Sequence, residues 1–209
     1  MFVHILVLMV ALMTAAPALA QPVKVVVLGD SLSAGLGLSA ADEFPAKLQK
    51  ALKDKGIDVA IMNAGVSGDT ASGGRDRLDW SVPNGTEAVI VELGANDALR
   101  GTDPAITRSA LSDIVSRLKA RGVAVLLLGM LAPPNYGSDY AARFNTIYPD
   151  LSKSFGIPLY PFFLDGVAAD AKLNQADGIH PTAEGVDIIV KKILPTVEAF
   201  LGTIRGQRS

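Results

Sequence analysis

An α/β fold, with a parallel sheet covered by helices on both faces, is predicted by three observations. Short apolar runs alternate with amphipathic segments along nearly the whole chain, which is the signature of consecutive βαβ units. Setting aside an apolar N-terminal stretch of 20 residues leaves 189 of the 209, enough for one domain with a sizeable core. The first apolar run, Val25-Val26-Val27-Leu28, breaks off abruptly in Gly29-Asp30-Ser31, as a buried strand does when it delivers a hydroxyl to the C-terminal edge of such a sheet.

Residues 1–20 combine an apolar core with Ala18-Leu19-Ala20, a small-residue cleavage pattern, so they are expected to be a secretory signal removed before Gln21. Residues 21–209 then form a single domain. Its first strand is expected over about 23–28. A helix over about 42–55 follows, with Asp42 as N-cap and Gly56 as stop. Residues 57–62 make a second strand, and a loop from Asn63 to Thr70 leads into a helix near 70–80. Glu87 to Leu93, rich in β-branched residues, is the third strand, ended by Gly94. Thr102-Asp103-Pro104 supplies a cap and a first-turn proline for a helix reaching about 120, and residues 123–128 are the fourth strand. A loop rich in Pro and Gly, Met130 to Gly137, precedes a helix over about 139–155 and a fifth strand over 157–162. After a loose segment from Asp165 to Ile179, Pro181 opens a last helix that carries Val186, Ile189, Val190 and Ile193 to the sheet and that Pro195 bends or shortens.

Composition removes several kinds of chemistry. The absence of cysteine excludes disulfides, thiolate metal sites and a cysteine nucleophile, and two histidines, His4 and His180, are too few for a histidine-cluster metal site. A formal charge of −2 leaves no basic footprint for nucleic acid and no polybasic membrane patch. Ser31 is the candidate nucleophile, although a lone serine after a strand is usually a turn residue. Ser33 stands where a nucleophile elbow needs glycine, so the α/β-hydrolase pattern does not fit. In a doubly wound sheet the loops after the strands converge on one edge, which brings Ser31, Gly65 and Asn96 together. Asp177-Gly178-Ile179-His180-Pro181 can reach the same edge, and an Asp and a His three apart can share one turn, carboxylate on Nδ1 and Nε2 toward the serine.

Four separate blocks, Gly29-Asp30-Ser31-Leu32-Ser33, Gly65 with Val66-Ser67-Gly68-Asp69-Thr70, Gly94-Ala95-Asn96-Asp97 and Asp177-Gly178-Ile179-His180-Pro181, stand in this order over nearly the whole chain. The sequence thereby resembles the SGNH (GDSL-type) hydrolase family, and within it the small exported bacterial thioesterase/arylesterase/lysophospholipase group. That resemblance implies a three-layer flavodoxin-like fold with a five-stranded sheet, acting on acyl esters or thioesters through an acyl-enzyme without a cofactor. It implies Ser31 as nucleophile, His180 as general base and then acid, and Asp177 as the group that orients the imidazole. The oxyanion would be met by the N–H groups of Ser31 and Gly65 and by the Asn96 side chain. Substrate contacts are expected from Ala132, Pro133 and Tyr136, in the loop that the family sets against the acyl group, and from Ile179 beside the base.

Other polar residues have plainer readings. Asp30 and Asp97 hold turns, Asp69 and Thr70 cap a helix, and Arg75, Arg77, Glu184 and Asp187 lie on solvated helix faces. Trp80 is a packing residue. The expected partner is a small acyl ester or thioester, with no nucleic acid and no membrane span after cleavage, and the expected location is periplasmic or secreted. A carbohydrate O-acetylesterase with the same machinery, and a binding module with a decayed site, are the alternatives.

Overall fold

A computed structural model describes residues 21–206; the expected signal segment, 1–20, lies outside the described residues. Five parallel strands form one sheet in the order β2-β1-β3-β4-β5: β1 (Val23–Gly29), β2 (Val59–Gly65), β3 (Ala88–Glu92), β4 (Ala124–Leu128) and β5 (Leu159–Tyr160). β1 and β3 are covered on both faces, which is why they read as unbroken apolar runs rather than as alternating ones. On one side α2 (Phe44–Asp54) packs on α9 (Ala183–Arg205); on the other, α6 (Pro104–Ala120) packs on α3 (Ala71–Asp76) and α8 (Ile147–Phe155). The expected three-layer α/β fold is the one observed. Strand order reverses between β1 and β3, the place where a doubly wound sheet opens a crevice at its C-terminal edge.

Where boundaries differ from expectation, backbone chemistry accounts for most of it. β2 continues through Asn63-Ala64-Gly65, because these three pair in register with Val27-Leu28-Gly29, and ladder bonds outweigh the turn preference of Asn and Gly. β5 shrinks to two residues between Pro158 and Pro161, neither of which has an N–H to give the ladder. The helix expected over 139–155 divides into α7 (Gly137–Asn145) and α8, since the Pro149 ring cannot share a helical turn with the carbonyl of Asn145. The segment near 70–80 likewise divides, at Arg77, into α3 and α4 (Leu78–Ser81). α9 starts at Ala183, capped by the Thr182 hydroxyl on the Gly185 N–H, and passes through Pro195 to Arg205 without being cut short.

Two single turns were not expected. α1 (Ser31–Ala34) is started by the Asp30 carboxylate, which accepts the Leu32 N–H at 2.9 Å. α5 (Ala95–Leu99) follows Gly94, whose φ of 113° and whose contact with the Tyr148 hydroxyl, 2.1 Å from where a Cβ would lie, both demand glycine. Asp42 does not cap α2; it accepts from the Ser39 hydroxyl and pairs with Lys47.

Candidate active site

Ser31 is the first residue of α1 and is nearly buried. Its Oγ lies 2.9 Å from His180 Nε2, and His180 Nδ1 lies 2.7 Å from Asp177 Oδ2. The other Asp177 oxygen accepts the N–H groups of Ile179 and His180 at 2.9 and 3.0 Å, so a four-residue turn fixes the carboxylate against the imidazole of the same turn. Those bonds, first the His180 N–H and then its ring, hold the Asp177 carboxyl down to about 2. An ionised Asp177 demands the proton on Nδ1, which leaves Nε2 as acceptor for the Ser31 hydroxyl. The arrangement can therefore remove a proton from Ser31 and return it to a leaving group.

Gln175, which sequence reasoning did not single out, ties this turn to the nucleophile's side of the sheet. Its N–H donates to the His180 carbonyl at 2.7 Å, and its side-chain amide donates to the carbonyls of Leu36 at 2.7 Å and Pro181 at 3.0 Å.

Asn96, on α5, donates from Nδ2 to Asp30 Oδ2 at 3.1 Å, which turns the amide toward the Ser31 side of the crevice and leaves its second N–H for a substrate oxygen. Burial pushes the Asp30 carboxyl up to about 6, against the opposing effect of its bonds to Leu32 and Asn96. Asp97 is buried and fastens α5 to its neighbours by accepting the Ala71 N–H at 2.8 Å and the Thr107 hydroxyl at 2.9 Å. Both acids hold local structure, as their type and position suggested.

Gly65 does not meet its expectation as an open donor. Its N–H already donates to Asn63 Oδ1 at 2.9 Å, and a Cβ there would strike Ala34 N at 2.4 Å, so the residue is glycine because α1 packs on it. Gly68, three residues on, differs: among the described residues no protein acceptor takes its N–H, and its carbonyl accepts Arg100 Nη2 at 2.8 Å. Arg100 caps α5, the helix that carries Asn96, so the Gly68 loop is held to the Asn96 side of the crevice. The signal was the Ser67-Gly68-Asp69-Thr70 context itself. In that stretch Thr70 caps α3 as expected, whereas Asp69 pairs with Arg77 at 2.6 Å instead of capping.

Arg77 is not on a solvated face. It is buried and donates to the carbonyls of Gly29 and Ala64, both at 2.8 Å, and to the Ser81 hydroxyl at 3.0 Å, stitching together the C-terminal ends of β1 and β2. A guanidinium suits the task because its planar fork reaches several acceptors at once.

A cavity of about 550 Å³ opens beside Ser31, Asn96 and His180. Its walls are apolar and include Met130, Ala132, Pro133, Phe162 and Ile179. Tyr136 does not line it: the hydroxyl donates to the Leu99 carbonyl at 2.7 Å and the ring lies 5.2 Å from that of Tyr140. Trp80 is exposed on α4, outside the cavity. A wider depression of about 870 Å³, where β4 begins beside α9, has Lys119 as the one ionisable residue among the described residues lining it. No cluster of three or more His, Cys, Asp or Glu suited to a metal ion occurs among the described residues.

Comparison with known proteins places this geometry in context. The model of the GDSL-like lipase/acylhydrolase family matches residues 27–188. Esterase TesA of Pseudomonas aeruginosa is 41% identical over 176 residues, which are 84% of this chain and 88% of that protein. Thioesterase 1/protease 1/lysophospholipase L1 of Escherichia coli is 39% identical over 176 residues, 82% of this chain and 83% of that one. A crystal structure of TesA superposes with a TM-score of 0.81 at 39% identity, covering 85% of this chain and 99% of the other.

Proposed function

Because the chain belongs to the GDSL-like lipase/acylhydrolase family and is an ester-hydrolysing enzyme, we propose that it cleaves acyl esters and thioesters with Ser31 as nucleophile, His180 as base and acid, and Asp177 as orienting carboxylate. The observation that carries this reading is the unbroken line from Asp177 Oδ2 through the imidazole to Ser31 Oγ, at 2.7 and 2.9 Å. Ser31 Oγ attacks the acyl carbon as His180 Nε2 takes its proton. The carbonyl oxygen gains negative charge in the same step. It is met by the N–H of Ser31, the Asn96 amide and, in place of Gly65, the N–H of Gly68. Collapse of the tetrahedral intermediate expels an alcohol or thiol that carries away the proton from His180. Water, activated by the same imidazole, then releases the acid from the acyl-enzyme.

The apolar cavity fits a hydrocarbon acyl chain better than the hydroxyl-rich face of a sugar, which supports an acyl esterase over a carbohydrate O-acetylesterase. Rates on p-nitrophenyl esters of rising acyl length, beside acyl-CoA, a lysophospholipid and an acetylated sugar, test this. Turnover of the acetylated sugar alone would overturn it. Export belongs to the same proposal. It rests on the apolar stretch and Ala-x-Ala site of residues 1–20; among the described residues no helix is long and apolar enough to cross a membrane. The intact mass of exported protein should correspond to a chain beginning near Gln21, and a mass retaining residues 1–20 would count against cleavage.

Asn96→Ala should lower kcat by on the order of 10²–10³-fold, roughly 3–4 kcal/mol, while moving KM far less, because the amide strengthens its bond only as the oxyanion forms. A melting curve on the same preparation separates this from a turn-holding role. An unchanged kcat with a lowered Tm would remove Asn96 from the site.

A further inference from the structure

Glu92 closes the central strand β3 beneath the nucleophile turn and is wholly buried. Its Oε2 accepts the Ser33 hydroxyl at 2.7 Å and the Asp30 N–H at 3.4 Å, so one carboxyl oxygen meets the residues on both sides of Ser31 and Leu32. Ser33 is equally buried. A Cβ on Gly29 would lie 2.3 Å from Ser33 Oγ and 2.7 Å from Glu92 Oε2, so the turn can close onto the carboxyl only with glycine there. From Asp30 the path continues to Asn96, whose amide donates to the Asp30 carboxylate. Glu92 Oε1, in contrast, meets no donor among the described residues.

We propose that Glu92 is a positioning residue for acyl transfer: its Oε2 fixes the turn that carries the Ser31 hydroxyl and N–H and, through Asp30, sets the Asn96 amide in line with them. This deepens the reading of Ser31 as nucleophile and rests on it. A leucine could fill the same space without an unmatched oxygen, and a buried carboxyl with one free oxygen is a costly choice for a core position. Burial, with the Asp30 carboxyl next to it, pushes Glu92 well above the ordinary carboxylate range. In its neutral form Glu92 offers a carbonyl-type acceptor at Oε2 and a hydroxyl at Oε1, the layout of a glutamine side chain. What the turn requires is therefore an acceptor in a fixed place rather than a charge.

The test measures kcat, KM and the rate at which an organophosphonate labels Ser31. Glu92→Leu should lower kcat and labelling together by about 10- to 100-fold, the scale of a sub-ångström to ångström misplacement of reacting groups, with KM within about twofold. Glu92→Gln, which keeps the acceptor, should restore kcat to within about threefold of wild type. Ser33→Ala removes the partner hydroxyl and should show the same kcat loss, so the inference stays testable if the leucine variant does not fold. Wild-type kcat in both Glu92→Leu and Ser33→Ala would overturn it, as would a glutamine variant as impaired as the leucine one. Ser31→Ala is measured alongside. Turnover in that variant removes the nucleophile reading itself, whereas a dead Ser31→Ala beside an unimpaired Glu92→Leu removes only the role given to Glu92.

Discussion

Ser31→Ala is expected to lower kcat by on the order of 10⁶-fold, equivalent to about 8 kcal/mol of transition-state stabilisation, leaving the modest rate that binding and the oxyanion donors supply to attack by water. The fold should survive. Ser31 is nearly buried, but the substitution removes one hydroxyl whose partner, His180, keeps its bond to Asp177; about 1 kcal/mol of stability is at stake. Turnover, urea melts and phosphonate labelling of the same preparation give the answer. A variant that melts like wild type and turns over within tenfold of it would end the serine-esterase mechanism for this chain.

His180→Ala should be nearly as severe, again on the order of 10⁶-fold in kcat, because base and nucleophile act as a unit. His180 must present a neutral Nε2 to accept the Ser31 proton, and the carboxyls around the site set the pH dependence that follows from their environment. Asp177, held at about 2, remains ionised throughout and adds no step near neutrality. Asp30 does add one. It is pushed up to about 6 and binds the Asn96 amide, so its deprotonation favours the working arrangement and kcat/KM should rise with pH through that range. If His180→Ala keeps more than a tenth of wild-type kcat, the base lies elsewhere.

Much of this site was visible in the sequence because its parts are short and local. Asp177 and His180 sit in one turn, while Ser31 follows one apolar strand and Asn96 another, both placed by where their strands end. The misread positions depend on contacts between distant segments. Gly65 and Gly68 both stand after a strand-like run, and only the register of β2 on β1 shows that the first is still inside the ladder. Arg77 looks like a helix-surface residue until β1 and β2 present their last carbonyls to it. Glu92 left a trace that could have been followed: an acid at the end of Ala88-Val89-Ile90-Val91 has no solvent to face in a strand covered on both sides. Prolines set the finer boundaries, and a missing N–H at 149, 158 or 161 is legible to anyone who counts ladder and helix donors.

Asp177 and His180 share one turn, while Ser31 lies 149 positions before His180 in the chain. The acid and base are thus a single kinematic body. A displacement of their loop carries both together and preserves the 2.7 Å bond inside it, so the reacting geometry has one joint, the 2.9 Å gap between His180 Nε2 and Ser31 Oγ. Gln175 spans that joint, holding the His180 and Pro181 carbonyls on one side and the Leu36 carbonyl on the other. A triad assembled from three independent segments has two such joints to keep in tolerance; here one remains, and Gln175 braces it.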